Sequence, residues 1–163
     1  MGRTVIDLPP DDEQAALECV SGYCVSIDMT ARNLQDEAKK KGLPWTAAKG
    51  FDTFLPVSNF ISKEMIKDPH YVELWLNVNG EERQRDKTSL MLFRIPRILS
   101  EISRVMTLEE GDLVLTGTPK GVGKVEVGDV MTAGVRVEGE EVEEGMIEVG
   151  VAEKGGLFDY EET

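Results

Sequence analysis

The chain has 163 residues, 40% hydrophobic and 30% charged, with a formal net charge of −13. That balance fits one domain with a real core. The acidity excludes a nucleic-acid backbone or an anionic membrane surface as partner, since either would be repelled, and no apolar run reaches membrane-spanning length.

The N-terminal stretch MGRTVIDLPPDDE carries neither a signal-peptide apolar core nor a basic presequence. The expectation is a cytoplasmic or mitochondrial matrix protein with no targeting segment in this chain. Pro9 and Pro10 punctuate the start, and DEQAALECV reads as a short helix capped by Asp11 or Asp12. Cys19 and Cys24 form neither a disulfide framework nor a metal-ligand pattern, and read as buried free thiols.

GYCVSID reads as a buried strand, and TARNLQDEAKKKG as a helix capped by Thr30 or Asn33 and ended by Gly42. Asp36 and Glu37 precede Lys40 and Lys41 by one turn, and the cations gather at the favourable C-terminal end. Residues Trp45 to Ser62 have no clean period and contain Pro56, so the expectation is a loop with short extended pieces. YVELWLNVNGEERQ places Val72, Leu74, Leu76 and Val78 at every second position before Asn79-Gly80, a strong hairpin signal.

PRILSEISRVM reads as a helix with Pro96 in its first turn and a stripe of Ile98, Leu99, Ile102 and Val105 or Met106. TLEEGDLVLTG is answered by KVEVGDVMTAG, each a Gly-Asp turn feeding a short strand that ends at glycine. Glu138 to Glu148 reads as a solvated hairpin, since it lacks the ligand spacing of a calcium loop. The class is therefore α+β, mostly β, in one domain over residues 1–163.

Asp28 stands where the strand-like run meets the helix. It reads either as an oxygen ligand of a hard cation or as a helix cap or partner for a nearby cation. Arg32 and Gln35 share a helix face pointing back towards Asp28, and Lys49 follows in PWTAAKGF. Together they could grip a substrate carboxylate, or form a solvated face. TGTPKGVGK could turn backbone N–H groups towards an anion, or serve as a structured turn; it is neither a Walker loop nor a dinucleotide fingerprint. His70 is the one histidine, and no serine or cysteine has the setting of a triad nucleophile.

Taken in order, SIDMTARNLQDEAKKKGLPWTAAKGFDTFLPVS, VNGEERQRDKTSLMLF and LEEGDLVLTGTPKGVG resemble the fumarylacetoacetate hydrolase family, in its acylpyruvase and oxaloacetate decarboxylase branch. The match runs from about Met1 to Gly134, and the acidic tail 135–163 fits poorly. The resemblance implies a β-roll with a few short helices, a homodimer, and cleavage of a C–C bond in 2,4-dioxo acids or decarboxylation of oxaloacetate with Mg²⁺ or Mn²⁺. It implies Asp28 as a metal ligand, Lys49 as the catalytic lysine, and Arg32, Gln35 and Thr118 as substrate-binding residues. It also implies that the family's Glu-x-Glu metal pair and its His and Glu general base lie before the segment matching MGRTVIDL. This chain is then N-terminally truncated relative to the family. A catalytically impaired binding or dimerisation partner is the alternative function.

Overall fold

A computed structural model describes residues 1–156 and Phe158. Residue 157 and residues 159–163 of the acidic tail lie outside the described residues. The first helix, α1 (Glu13–Glu18), is capped by Asp12, whose carboxylate accepts from the Ala15 N–H at 2.9 Å. Its partner in space is α4 (Ile95–Ser103), which carries Pro96 in its first turn and buries Leu99 and Ser100. The Ser100 hydroxyl donates to the Leu8 carbonyl at 2.9 Å, and the Leu8 N–H donates to Ser103 Oγ at 3.0 Å. These contacts close a small apolar cluster of Val5, Leu8, Ala16, Cys19, Leu99 and Leu108. The expected stripe on α4 stops early: the helix ends at Ser103, and Val105 and Met106 are exposed. Of the two free thiols, Cys19 is buried and Cys24 only half-buried.

GYCVSID is extended but not a full strand. Only β1 (Gly22–Tyr23) pairs in regular register, with β2 (Ile61–Ser62). Beyond it the run lies against residues 54–58, where Ile27 N–H donates to Pro56 O at 3.0 Å and Met29 N–H to Phe54 O at 2.9 Å. Pro56 has no N–H to return, so the ladder breaks there. Next comes α2 (Arg32–Lys41), ended by Gly42 in the left-handed conformation at φ 65°. Its N-cap is Ala31, not Thr30 or Asn33, and no side chain caps it. The 45–62 stretch holds one further element that its sequence did not announce, the single helical turn α3 (Thr46–Lys49). Trp45 flanks that turn, half exposed, with the Lys39 ammonium 5.4 Å from its ring.

The main sheet is built on the hairpin read from sequence, β3 (Val72–Val78) and β4 (Glu81–Lys87). Asn79 and Gly80 join them, both at positive φ. The other edge of β3 pairs with β5 (Val130–Val137), and β5 in turn pairs with β6 (Glu140–Glu141) and β7 (Ile147–Gly150), all antiparallel. The acidic stretch Glu138 to Glu148 is thus the expected hairpin region. Val72 and Val78 are buried, while Leu74 and Leu76 are half-buried against the core. Trp75, on the opposite face, is buried and donates from its indole N–H to Glu141 at 2.6 Å.

The internal echo is real, but it lies in the turns rather than the strands. In each copy an aspartate carboxylate accepts from the N–H of the glutamate three positions back: Glu109 to Asp112 at 2.7 Å, Glu126 to Asp129 at 2.8 Å. Gly111 and Gly128 take positive φ at the same place in both. A paired strand follows only the second turn, and β5 runs through Gly134 instead of ending there. Leu113 to Val125 has no strand pairing among the described residues.

His70 also has a structural post. It is buried; Nε2 accepts from the Ile95 N–H at 3.1 Å, and Nδ1 lies 3.3 Å from Asp68. It satisfies one of the orphan amides that begin α4. Burial, with Arg94 nearby, holds its pKa below the usual 6.5.

Candidate active site

Asp28 follows the extended run at the point where the bonds to Pro56 and Phe54 fix the backbone. Three residues on, the Ala31 N–H donates to Ala48 O at 3.0 Å, which seats the start of α2 against the end of α3. Lys49 is the last residue of α3, so its side chain reaches back across that junction. Its ammonium lies 2.5 Å from the Asp28 carboxylate. Both side chains are partly open to solvent, so the pair contributes only about 0–1 kcal/mol to folding. A tie that stabilises so little, yet is set by two backbone anchors, has its use elsewhere.

Arg32 and Gln35 stand on the first turn of α2, and the guanidinium donates to the Gln35 side-chain oxygen at 3.1 Å. Gln35 is 5% exposed, and this bond fixes the Arg32 head. The backbone N–H groups of Arg32, Asn33 and Leu34 donate to no other described group. They therefore leave the positive end of the α2 dipole open beside Asp28 and Lys49. Thr118 lies in the glycine loop, exposed, with its hydroxyl oxygen accepting from Gln84 Nε2 at 2.9 Å.

All five residues line one open trough of about 1400 Å³. That exceeds the ~300–1,000 Å³ of ordinary small-molecule pockets, so a small ligand fills only part of it. Leu74, Leu76, Met131 and Ala133 give the trough an apolar floor, and the glycine loop forms a wall. Its charged lining is the reverse of the chain as a whole. Arg32, Lys49, Arg83, Lys124 and Lys154 face only Asp28 and Asp112. Asp112 is already engaged by the Glu109 N–H. A chain of net charge −13 thus presents a cationic trough, which favours an anion.

The residues present do not make a complete divalent-cation site. No group of three or more His, Cys, Asp or Glu could hold a metal ion among the described residues. Asp28 supplies one carboxylate, already paired with Lys49, whereas Mg²⁺ or Mn²⁺ demands a near-octahedral oxygen shell. No helix among the described residues is long and apolar enough to cross a membrane.

Sequence spacing thus brought Asp28, Arg32, Gln35 and Lys49 to one place, but not the direct bond between Asp28 and Lys49. Gln84 went unnoticed, because a glutamine in the middle of a charged strand carries no signal of its own. Arg83 likewise lines the trough without a motif that marks it, whereas Lys124 closes the TGTPKGVGK segment.

The family model described as fumarylacetoacetate (FAA) hydrolase C-terminal matches residues 1–152. The mitochondrial oxaloacetate tautomerase of Rattus norvegicus is 60% identical over 123 residues, 76% of this chain and 56% of that protein. The human one is 58% identical over 135 residues, 83% of this chain and 60% of that protein. The chain therefore spans between 56% and 60% of the length of these curated relatives. Among solved structures, a yeast protein of the fumarylacetoacetate hydrolase family superposes with a TM-score of 0.91 at 35% identity. That match covers 99% of this chain and 67% of the yeast one. A fumarylpyruvate hydrolase from Pseudomonas aeruginosa, solved in complex with Mn²⁺ and pyruvate, gives a TM-score of 0.84 at 34% identity. It is covered to 62%, and this chain to 94%.

Proposed function

Because the chain belongs to the fumarylacetoacetate hydrolase family, we propose that its cationic trough binds a small 2-oxo acid, oxaloacetate or a 3-acylpyruvate, and favours its enolate. The observation that carries this reading is the Lys49–Asp28 pair, anchored by backbone at both ends in a trough whose charged lining is mostly cationic. The names of the relatives, oxaloacetate tautomerases and a fumarylpyruvate hydrolase, agree with that substrate class.

One intermediate joins the reactions in question. Moving a proton from C3 of oxaloacetate to its keto oxygen passes through an enolate. Loss of CO₂ leaves the electron pair of the broken C–C bond in an enolate, and hydrolysis of an acylpyruvate expels one. A fixed positive charge beside the oxygen where that charge develops lowers the barrier for each. In this chain the Lys49 ammonium supplies it, and Asp28 keeps the ammonium aimed. Arg32, held by Gln35, takes a carboxylate of the substrate. Thr118 and the free amides of its loop take another.

A divalent ion, Mg²⁺ or Mn²⁺, enters this reading only with oxygen donors beyond Asp28. The mitochondrial names of the relatives support the matrix as the setting, and the family resemblance supports a homodimer. Light scattering on the purified chain checks the latter; a clean monomer counts against it. The direct test of function is calorimetric titration of the 163-residue chain with oxalate, an enolate mimic, with and without Mn²⁺, alongside turnover of oxaloacetate and acetylpyruvate. Binding that survives both Lys49→Ala and Asp28→Ala defeats the assignment.

One observation favours a second reading. The lack of a three-donor metal cluster among the described residues fits a member that binds its ligand or a partner subunit with little turnover. Oxalate binding without turnover, in the presence of Mn²⁺, selects it.

A further inference from the structure

The glycine loop that carries Thr118 has almost no backbone support. From Leu113 to Val125 no N–H donates to another described group. Gly117 and Gly121 sit at φ 105° and 99°, conformations that hold themselves poorly without external ties. The Gln84 side chain supplies the hydrogen-bonded ties. Gln84 Nε2 lies 2.9 Å from Thr118 Oγ1, 2.7 Å from Pro119 O and 3.4 Å from Lys120 O.

The amide's orientation follows from its partners. Two of the three are backbone carbonyls, which only accept, so the NH₂ group faces the loop and the oxygen faces away. With its oxygen accepting from that NH₂, the Thr118 hydroxyl keeps its own proton free to donate. Nothing among the described residues receives that proton, and Thr118 lines the trough.

The backbone beneath Gln84 is shaped for the task. In the β3–β4 ladder Leu76 pairs with Gln84 and Asn77 with Glu82, which leaves Arg83 as an extra residue, a β-bulge. Bulges kink a strand and re-aim its side chains. Here the kink also brings the Arg83 carbonyl against Gly121, where an added Cβ would lie 2.0 Å from that oxygen. The loop is therefore fastened to β4 by the Gln84 amide and by a backbone contact that only glycine permits, with an exposed ion pair, Lys120 to Asp86 at 3.8 Å, beside them.

We propose that Gln84 is a positioning residue of the trough: it holds the Thr118–Gly121 loop in place and sets the Thr118 hydroxyl as a donor towards a bound anion. This rests on the anion-binding reading above only for the identity of what the hydroxyl meets.

The experiment compares the 163-residue chain with Gln84→Ala, Gln84→Glu, Thr118→Val and the Gln84→Ala/Thr118→Val pair. Two readouts are taken: backbone ¹⁵N relaxation of residues 117–123, and oxalate affinity. In Gln84→Glu the carboxylate has no proton for the two carbonyls, and it claims the threonine proton for itself. Loop order parameters should fall in both Gln84 variants while those of β3 and β5 stay unchanged. Oxalate affinity should drop about tenfold in each. In the Thr118→Val background, Gln84→Ala should cost clearly less than it does alone, since part of its effect passes through that hydroxyl. Wild-type loop order in Gln84→Ala overturns the proposal, as does wild-type oxalate affinity in Gln84→Glu. If the unmodified chain binds no oxalate, the anion reading fails by itself, and the relaxation data still decide whether Gln84 holds the loop.

Discussion

The sheet around β3 and β5 and the segment from Leu113 to Val125 are both rich in valine and leucine, yet they are supported in opposite ways. β3 pairs with β4 on one side and β5 on the other, and β5 is likewise paired along both edges. The 113–125 segment has no backbone donor engaged among the described residues and leans on Gln84 and on the Arg83 carbonyl against which Gly121 packs. The residues proposed to meet a substrate collect around the second region, the start of α2 and the end of α3. Backbone groups already committed to a ladder cannot turn towards a ligand, so chemistry gathers where the ladder stops.

The largest effect should come from the paired region. Ile61 is 1% exposed in the cluster beneath the sheet, so Ile61→Ala should cost about 2–5 kcal/mol in urea unfolding. A loss below about 1 kcal/mol would mean that the cluster is loosely packed, and the contrast with the wall would collapse. His70 comes next. His70→Ala leaves the partly buried Ile95 N–H without its acceptor and should cost about 1–3 kcal/mol.

His70 also gives the stability a pH dependence with a defined sign. Its folded pKa lies below 6.5, so the unfolded chain takes up the proton first as pH falls. Stability conferred by the neutral ring is complete above pH 6.5 and declines as pH drops from there towards the folded pKa. The slope approaches at most ~1.4 kcal/mol per pH unit. His70→Gln should flatten that part of the curve, and an unchanged slope would assign it to other groups.

Lys49→Ala should sit lower still, at about 0–1 kcal/mol of stability, because the ion pair is partly exposed. The same change should abolish oxalate binding. That separation, binding lost with folding kept, is the sharpest form of the comparison; a large stability loss would make Lys49 a structural residue. Smallest of all, Val122→Thr on the exposed wall should shift stability by no more than about 0.5 kcal/mol.

What the sequence disclosed follows the same division. The β3–β4 hairpin was legible because strict alternation and Asn-Gly are local signals, and both turn residues do take positive φ. The Asp12 cap of α1 and the Gly42 end of α2 were legible for the same reason. GYCVSID misled because Pro56, distant in sequence, breaks its ladder. The one-turn α3 is too short to show a period. The shared position of Asp28 and Lys49 could be read from a motif, but their bond depends on Ala31 meeting Ala48. Gln84 was hidden more deeply, since a bulge is a register event between strands and leaves no trace in one of them.

The chain's two tryptophans happen to stand one on each side of this division. Trp75 is 8% exposed, with its indole bonded to Glu141 inside the sheet, while Trp45 is 46% exposed at the head of α3. Their emission should differ in colour, blue from the dry ring and red from the wet one. A quencher added to the solvent should silence the second well before the first. Intrinsic fluorescence, split by a single Trp45→Phe substitution, can thus follow the paired sheet and the head of α3 as separate signals in one cuvette.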